Sequence, residues 1–363
     1  MDHLSDILRI HSALSTFWWI LLGLFFIIYI VLDGADLGAG VFSLLFLRDD
    51  NDRAAVMSSM AGTWDANETW LVVAGGVIFG AFPLVYGSTF NYLMIPLMFT
   101  LWGIISRAVA FEFHVHAKTS KKFWGTMFGL GSLVAAFFAG IALGATLLGF
   151  RMTTGNAQGI QVANDPFVNT VPHFAGNALS FLSPFSIWTG IGAVIAGGLA
   201  GTLYLCARFK QDDPIYKKAH AWATTFSFLA LAAVVITLIW SYAIMPDAAK
   251  WTGSGWFGWL ILLLAILISA YKMMTAHATH RDFPALLWCG AIVVLMWGGM
   301  WATNFPYIIP NTWTITAGGN PANDLAILTL FMTGFVPIMI MYNAYQIWVF
   351  RHRITHLAGY ESH

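Results

Sequence analysis

Nine stretches of this chain are each long and apolar enough to cross a bilayer, and together they leave no room for a soluble domain. A spanning helix needs about 20 mostly apolar residues. The segments 17–46, 56–86, 88–113, 123–150, 179–206, 219–245, 256–276, 283–305 and 325–350 answer that description, although the second is interrupted and the eighth is short. Only 9% of the 363 residues are charged, against roughly 25% in an average soluble domain. The chain therefore reads as an all-α integral membrane protein, a single polytopic domain over 1–363, with helices 1–4 in 17–150 and helices 5–9 in 179–350. The first apolar run outlasts a secretory h-region and follows acids rather than a basic cluster, so no cleaved leader is expected.

Basic residues orient the array. If the segments alternate, 14 of the 17 Lys and Arg residues fall on one side, leaving Arg9, Arg151 and Lys250 on the other. By the positive-inside rule the first side is cytoplasmic. The N-terminus is then outside, the C-terminus is inside, and the helix count is odd. A net charge of zero gives no sign of a nucleic-acid partner; the lipid bilayer is the expected surrounding. Trp18, Trp19 and Trp251 lie near segment ends, where interfacial belts form. Gly76 with Gly80, Gly140 with Gly144 and Gly197 with Gly201 stand at the spacing that lets helix backbones approach.

Against this apolar background the acids stand out. Trp64 to Trp70 (WDANETW) carries Asp65 and Glu68 at the head of a run, Trp70 to Tyr86, that has no charge. Acids three residues apart share a helix face, and like charges so close favour keeping a proton on the pair. Asp33 and Asp36 repeat the spacing at the end of the first segment, and Arg107 and Glu112 close the third. Alternation brings all six toward the cytoplasmic leaflet. Ionisable residues at membrane depth mark ion paths or buried partners, so the cluster reads as a proton inlet. The competing reading is structural, because a buried ion pair such as Arg107 with Asp36 or Glu112 can serve only to set helix register.

Histidines and cysteines carry less. His114 and His116, His277 and His280, and His352 and His356 sit beside the basic loops and read as loop histidines rather than haem ligands. His3, His11 and His173 lack partners at metal-ligand spacing, as do Cys206 and Cys289. No metal is expected in this chain.

These pieces, in this order, resemble subunit II of the bacterial cytochrome bd-type quinol oxidases, including the cyanide-insensitive branch. The most specific stretch is Trp64 to Pro83 (WDANETWLVVAGGVIFGAFP), with Trp64, Asn67, Trp70, Gly75 and Gly76 as signature or packing positions and Ala66 where Gly is usual. Leu32 to Gly38 (LDGADLG) matches the first-helix motif, with Ala35 in place of the usual aromatic. Ser106 to Phe111 with Glu112 and Phe305 to Pro310 (FPYIIP) match further motifs, while Trp313 to Asp324 departs from the pattern.

The resemblance implies two four-helix bundles plus one peripheral helix. It implies a multi-pass protein of the bacterial cytoplasmic (inner) membrane in a heterodimer with a haem-bearing subunit I, which carries haems b and d. This chain would ligate none of them. Quinol and oxygen would be substrates of the complex, some members hold a structural quinone in this subunit, and small accessory membrane subunits are a further partner class. Asp65, Asp36 and the acid matched by Glu112 would feed protons inward; in the mechanism this suggests, Asp65 is the main relay, Asp36, Glu68 and Glu112 hold or pass protons, Asp33 belongs to the same path, and Arg107 tunes them by its opposite charge. A proton-coupled membrane transporter, with discontinuous helices in related halves, and a purely structural scaffold are the alternatives.

Overall fold

A computed structural model describes residues 2–150, 152–153, 173–174, 176–244, 256–350 and 352–354. Arg151, Lys250, Trp251, Arg351 and His356, used above, lie outside them, as do the side chains of His3 and His173. The chain runs α1 (Asp2–Phe46), α2 (Asp50–Met60), α3 (Trp64–Ala81), α4 (Pro83–Tyr92), α5 (Met94–His116), α6 (Lys121–Leu147), a short antiparallel pair β1 (Met152–Thr153) and β2 (His173–Phe174), and α7 (Pro184–Arg208). It continues through α8 (Pro214–Ile244), α9 (Trp256–Ala278), α10 (Asp282–Thr303), the antiparallel pair β3 (Tyr307–Ile309) and β4 (Trp313–Thr314), and α11 (Ala322–Val349).

Among the described residues eight helices are long and apolar enough to span a membrane: α1, α5, α6, α7, α8, α9, α10 and α11. The predicted segment 56–86 is not one unbroken helix. A turn at 61–63 separates α2 from α3, and Phe82 breaks the chain again before Pro83 opens α4. Pro83 has no N–H to donate into α3, but it suits a helix start. Asp65, Asn67 and Glu68 in the first turns of α3 leave it outside that set.

Small residues set the tightest crossings. Gly38 of α1 meets Gly197 and Gly201 of α7 backbone to backbone, Gly103 of α5 meets Gly131 and Ala135 of α6, and Gly140 and Gly144 of α6 meet Thr189, Gly190 and Ser186 of α7. The expected pairs at 140/144 and 197/201 thus lie at helix crossings. Gly75 and Gly76, however, have no neighbour where a side chain would project, and Gly80 meets only the Leu328 side chain. We expect Gly201→Val to abolish accumulation of folded chain, because its Cβ would enter the backbone of Gly38 and Ala39, which cannot move aside as a side chain can. Immunoblotting of membranes for the tagged variant checks this, with Gly192→Ala on the same helix, which meets open space, expected to accumulate normally.

Trp18 and Trp19 are core residues rather than interfacial anchors. Trp18 is fully buried, its indole N–H directed at Leu325 O (3.3 Å) and Thr329 Oγ1 (3.1 Å) of α11. Trp19 stacks on Trp301 of α10, ring centroids 5.6 Å apart, and Trp301 stacks in turn on Trp297 at 5.5 Å. Trp297 and Trp301 donate to Gly23 O and Trp19 O, at 3.1 and 3.2 Å, so the seam between α1 and α10 satisfies its polar indole edges. At the same end of the molecule Trp313 donates to Ser88 Oγ at 2.8 Å, and Asn320 bonds the last carbonyls of α3 through Gly80 O and Ala81 O.

Candidate functional site: a buried carboxylate–arginine cluster

Three helices converge on one guanidinium. Arg107 lies nine residues before the end of α5, roughly 14 Å of helix, and Asp36 lies ten residues before the end of α1, roughly 15 Å. One turn before Arg107, Gly103 lets α5 close on Gly131 of α6. That approach carries the Arg107 side chain into the protein interior, where it is 0% exposed.

Arg107 Nη2 donates to Asp33 Oδ1 at 2.6 Å and also to Glu68 Oε1 of α3. Asn67, beside Glu68, donates from Nδ2 to Asp36 Oδ2 at 2.8 Å. Asp33 and Asp36 are buried on α1, three residues apart on one face, and Tyr29 is buried one turn before Asp33. The set holds three carboxyl groups against one guanidinium, and full ionisation of all of them away from water would be costly. Arg107 Nε and Nη1, Asp33 Oδ2 and Asn67 Oδ1 are buried without a hydrogen-bond partner among the described residues. Groups of this kind normally bind ordered water.

Glu68 differs from the other two acids. Its side chain keeps 15% exposure while Asp33 and Arg107 keep none, so it connects the interior to the outer face of α3. On that face Asp65, Thr69, Val72, Gly76 and Phe79 form an exposed stripe at helical spacing. Asp65 stands on the stripe rather than in the cluster, and Glu112 is also exposed, one turn beyond Arg107 and away from its ion pairs. The six expected residues therefore divide: Asp33, Asp36, Glu68 and Arg107 are brought together, and Asp65 and Glu112 are not. Arg107 pairs with Asp33 and Glu68 instead of the expected Asp36 or Glu112.

The signature aromatics flank the cluster. Trp64 stacks on Phe111 with centroids 5.2 Å apart and planes 11° from parallel, and Trp70, 2% exposed, leans on Phe25 at 5.8 Å. Asn67 proves to be a direct partner of Asp36, not a packing residue alone. Tyr29 was not singled out from sequence, although a polar tip one turn from Asp33 was a readable signal.

The chain matches the family model for cytochrome bd terminal oxidase subunit II over residues 14–350. It belongs to that family. It is 23% identical to the cytochrome bd-I ubiquinol oxidase subunit 2 of Escherichia coli strain K12, covering 95% of this chain and 96% of that one. It is equally 23% identical to the cytochrome bd ubiquinol oxidase subunit 2 of Bacillus subtilis strain 168, over 95% and 98% of the two chains. Its fold is similar to a chain in the structure of the bd oxidase from Geobacillus thermodenitrificans, with a TM-score of 0.73 and 17% identity over 93% of this chain and 99% of the other.

Haems belong to the oxidases of this family, and the three packed histidines near the start of α10 leave no room for one between them. His220, His277 and His280 pack ring to ring, with centroids 4.0 Å apart for His220–His277 and 4.6 Å for His220–His280. A macrocycle does not fit between rings so close. His114 is buried at the very end of α5, and no second imidazole is among its hydrogen-bonded or stacked partners among the described residues.

Proposed function

We propose that this chain is the haem-free subunit II of a bd-type terminal quinol oxidase, multi-pass in a bacterial cytoplasmic membrane, and that it supplies half of a proton inlet. The observation that carries this is the Asp33–Arg107–Glu68 cluster, with Asp36 held by Asn67 beside it, its members roughly one to three and a half helical turns inside the helix ends. Haems b and d, bound in subunit I, would supply electron transfer from quinol and the reduction of oxygen to water. Oxygen reduction consumes protons, and drawing them from the cytoplasm separates charge across the bilayer without a pump.

Within this chain Asp65 takes up protons at the exposed stripe and Glu68 passes them inward, one turn along the same helix. Arg107 fixes the position of Glu68 and Asp33, and Asn67 positions Asp36 by donating to its Oδ2. Glu112 lies at the cytoplasmic margin as a collecting charge. The α3 stripe, with an acid and a glycine exposed on a membrane helix, is the surface we assign to subunit I, because an uncovered acid facing lipid is expensive. Gly75 and Gly76 then serve the contact between subunits rather than packing within this one.

The same reading takes the α2–α3 unit as the second of nine spans, giving an outside N-terminus and a cytoplasmic C-terminus. Helices α1, α3, α5 and α6 form one bundle, α7 to α10 form another, and α11 leans on α1 and α3 from the periphery. The whole chain is one polytopic domain. A structural quinone and small accessory subunits remain expectations from the family and are assigned no residues.

Purification of the tagged chain from its native membrane in mild detergent tests this. A haem-rich partner should copurify, with a long-wavelength haem d band in the reduced-minus-oxidised spectrum and quinol-dependent oxygen uptake. A well-folded preparation without partner or haem would overturn the proposal and bring forward the proton-coupled transporter.

A further inference from the structure

At the turns between α7 and α8 and between α9 and α10, remote in sequence from the acid cluster, four helices bring together a different chemistry. Cys206 near the end of α7, His220 on α8 and Asp282 at the start of α10 place a sulfur, an imidazole nitrogen and a carboxylate oxygen within 4.8 Å of one another. Cys206 is fully buried and Asp282 is 2% exposed. His220 Nδ1 is buried and makes no hydrogen bond. We propose that these three residues form a site for a divalent transition-metal ion of the zinc class, with the fourth position open to water.

The donor set points to that class. Thiolate with imidazole suits a borderline ion such as Zn2+, whereas magnesium and calcium prefer oxygen alone. Tetrahedral zinc, with bonds of about 2.0 to 2.3 Å, holds its ligand atoms roughly 3.3 to 3.6 Å apart. Closing from 4.8 Å requires about 1 Å of side-chain adjustment, which rotation of an imidazole and a thiol can supply.

The surroundings fix the ligands in the form a metal needs. Tyr216 Oη donates to Asp282 Oδ1 at 3.0 Å, so its contact with His280 Nδ1 at 2.8 Å is an accepted bond and Nδ1 carries the proton. The lone pair of His280 then sits on Nε2. Arg353 donates to Asp282 Oδ2 at 2.6 Å, which orients the carboxylate and ties the segment after α11 to the site. His280 is exposed and so provides the entry side. It adopts a left-handed backbone at φ 54°, a conformation uncommon for a residue other than glycine. Binding converts the Cys206 thiol to thiolate and releases one proton per ion. The ion would staple α7, α8 and α10 to the C-terminal segment.

The test uses the purified chain with whatever partners copurify, stripped with a chelator and equilibrated with Zn2+ alone. Zinc counting after dialysis should give about one ion per chain for the unaltered protein and for Cys289→Ser. Cys206→Ser and His220→Ala should each bind at least tenfold more weakly. Co2+ in place of zinc should give a thiolate-to-metal charge-transfer band in Cys289→Ser, which retains Cys206 as its one cysteine. Equal zinc in the unaltered chain and the Cys206→Ser/His220→Ala double variant would overturn the site. So would the absence of the cobalt–thiolate band in folded Cys289→Ser, a readout that does not depend on either ligand variant folding.

Discussion

Replacing Arg107 by Leu is expected to remove the assembled protein from the membrane. The guanidinium is fully buried and is the shared partner of Asp33 and Glu68. Without it Asp33 is left as an uncompensated acid at 0% exposure. Breaking a buried pair from one side costs about 3–5 kcal/mol, a large part of the marginal stability of a folded domain. Removing the charge from both sides costs far less, because the penalty lies in the orphaned partner and not in the lost attraction. The double variant Asp33→Asn/Arg107→Leu should therefore recover part of the level lost by Arg107→Leu alone, leaving Glu68, at 15% exposure, as the one acid without its partner. Quantitative immunoblots of membranes, with haem content of the purified complex, measure both. A single variant that accumulates normally would mean that Glu68 and Asp33 are already held without Arg107.

How much of this was legible beforehand depends on the range of the interaction. Boundaries of α6 to α11 follow the apolar runs closely, because a membrane helix is selected by length and composition, which are local. An interruption of the second segment was expected, but its place at 61–63 was not readable: Ala61, Gly62 and Thr63 carry no proline, and beside the local bonds of Ala61 N–H to Ser58 O and Thr63 N–H to Met60 O the turn receives a remote one, with Gln346 of α11 donating to Gly62 O at 3.2 Å. Asp33, Asp36, Glu68 and Arg107 were recognisable as a group because helix spacing and alternation put them at one depth. Spacing could not say which way α3 is rotated, so Asp65 and Glu68 were not distinguished, although one faces out and the other in. Trp18 and Trp19 were misplaced for a related reason, since a segment end reads as interface until the partner helix is known. The cluster at Cys206, His220 and Asp282 was out of reach, because its members come from three helices and only the bundle unites them.

That outward and inward division gives Glu68 the decisive experiment for the proton inlet. Glu68→Gln keeps the side-chain length and an oxygen for Arg107, and it leaves the Arg107–Asp33 ion pair in place. The complex should therefore assemble with normal haem content. A proton-transfer group commonly contributes 100-fold or more to rate, and an amide cannot pass a proton as a carboxyl does. Quinol-dependent oxygen uptake per haem should fall by at least about tenfold, allowing for water bypass around a side chain that is 15% exposed. Asp65→Asn should lower turnover less, because Asp65 stands outside the buried cluster and makes none of its ion pairs. If Glu68 serves only to set helix register, the result reverses: assembly suffers and turnover per haem is unchanged. The two roles thus separate on a ratio, activity per haem against haem per membrane protein, that a structural defect alone would not move.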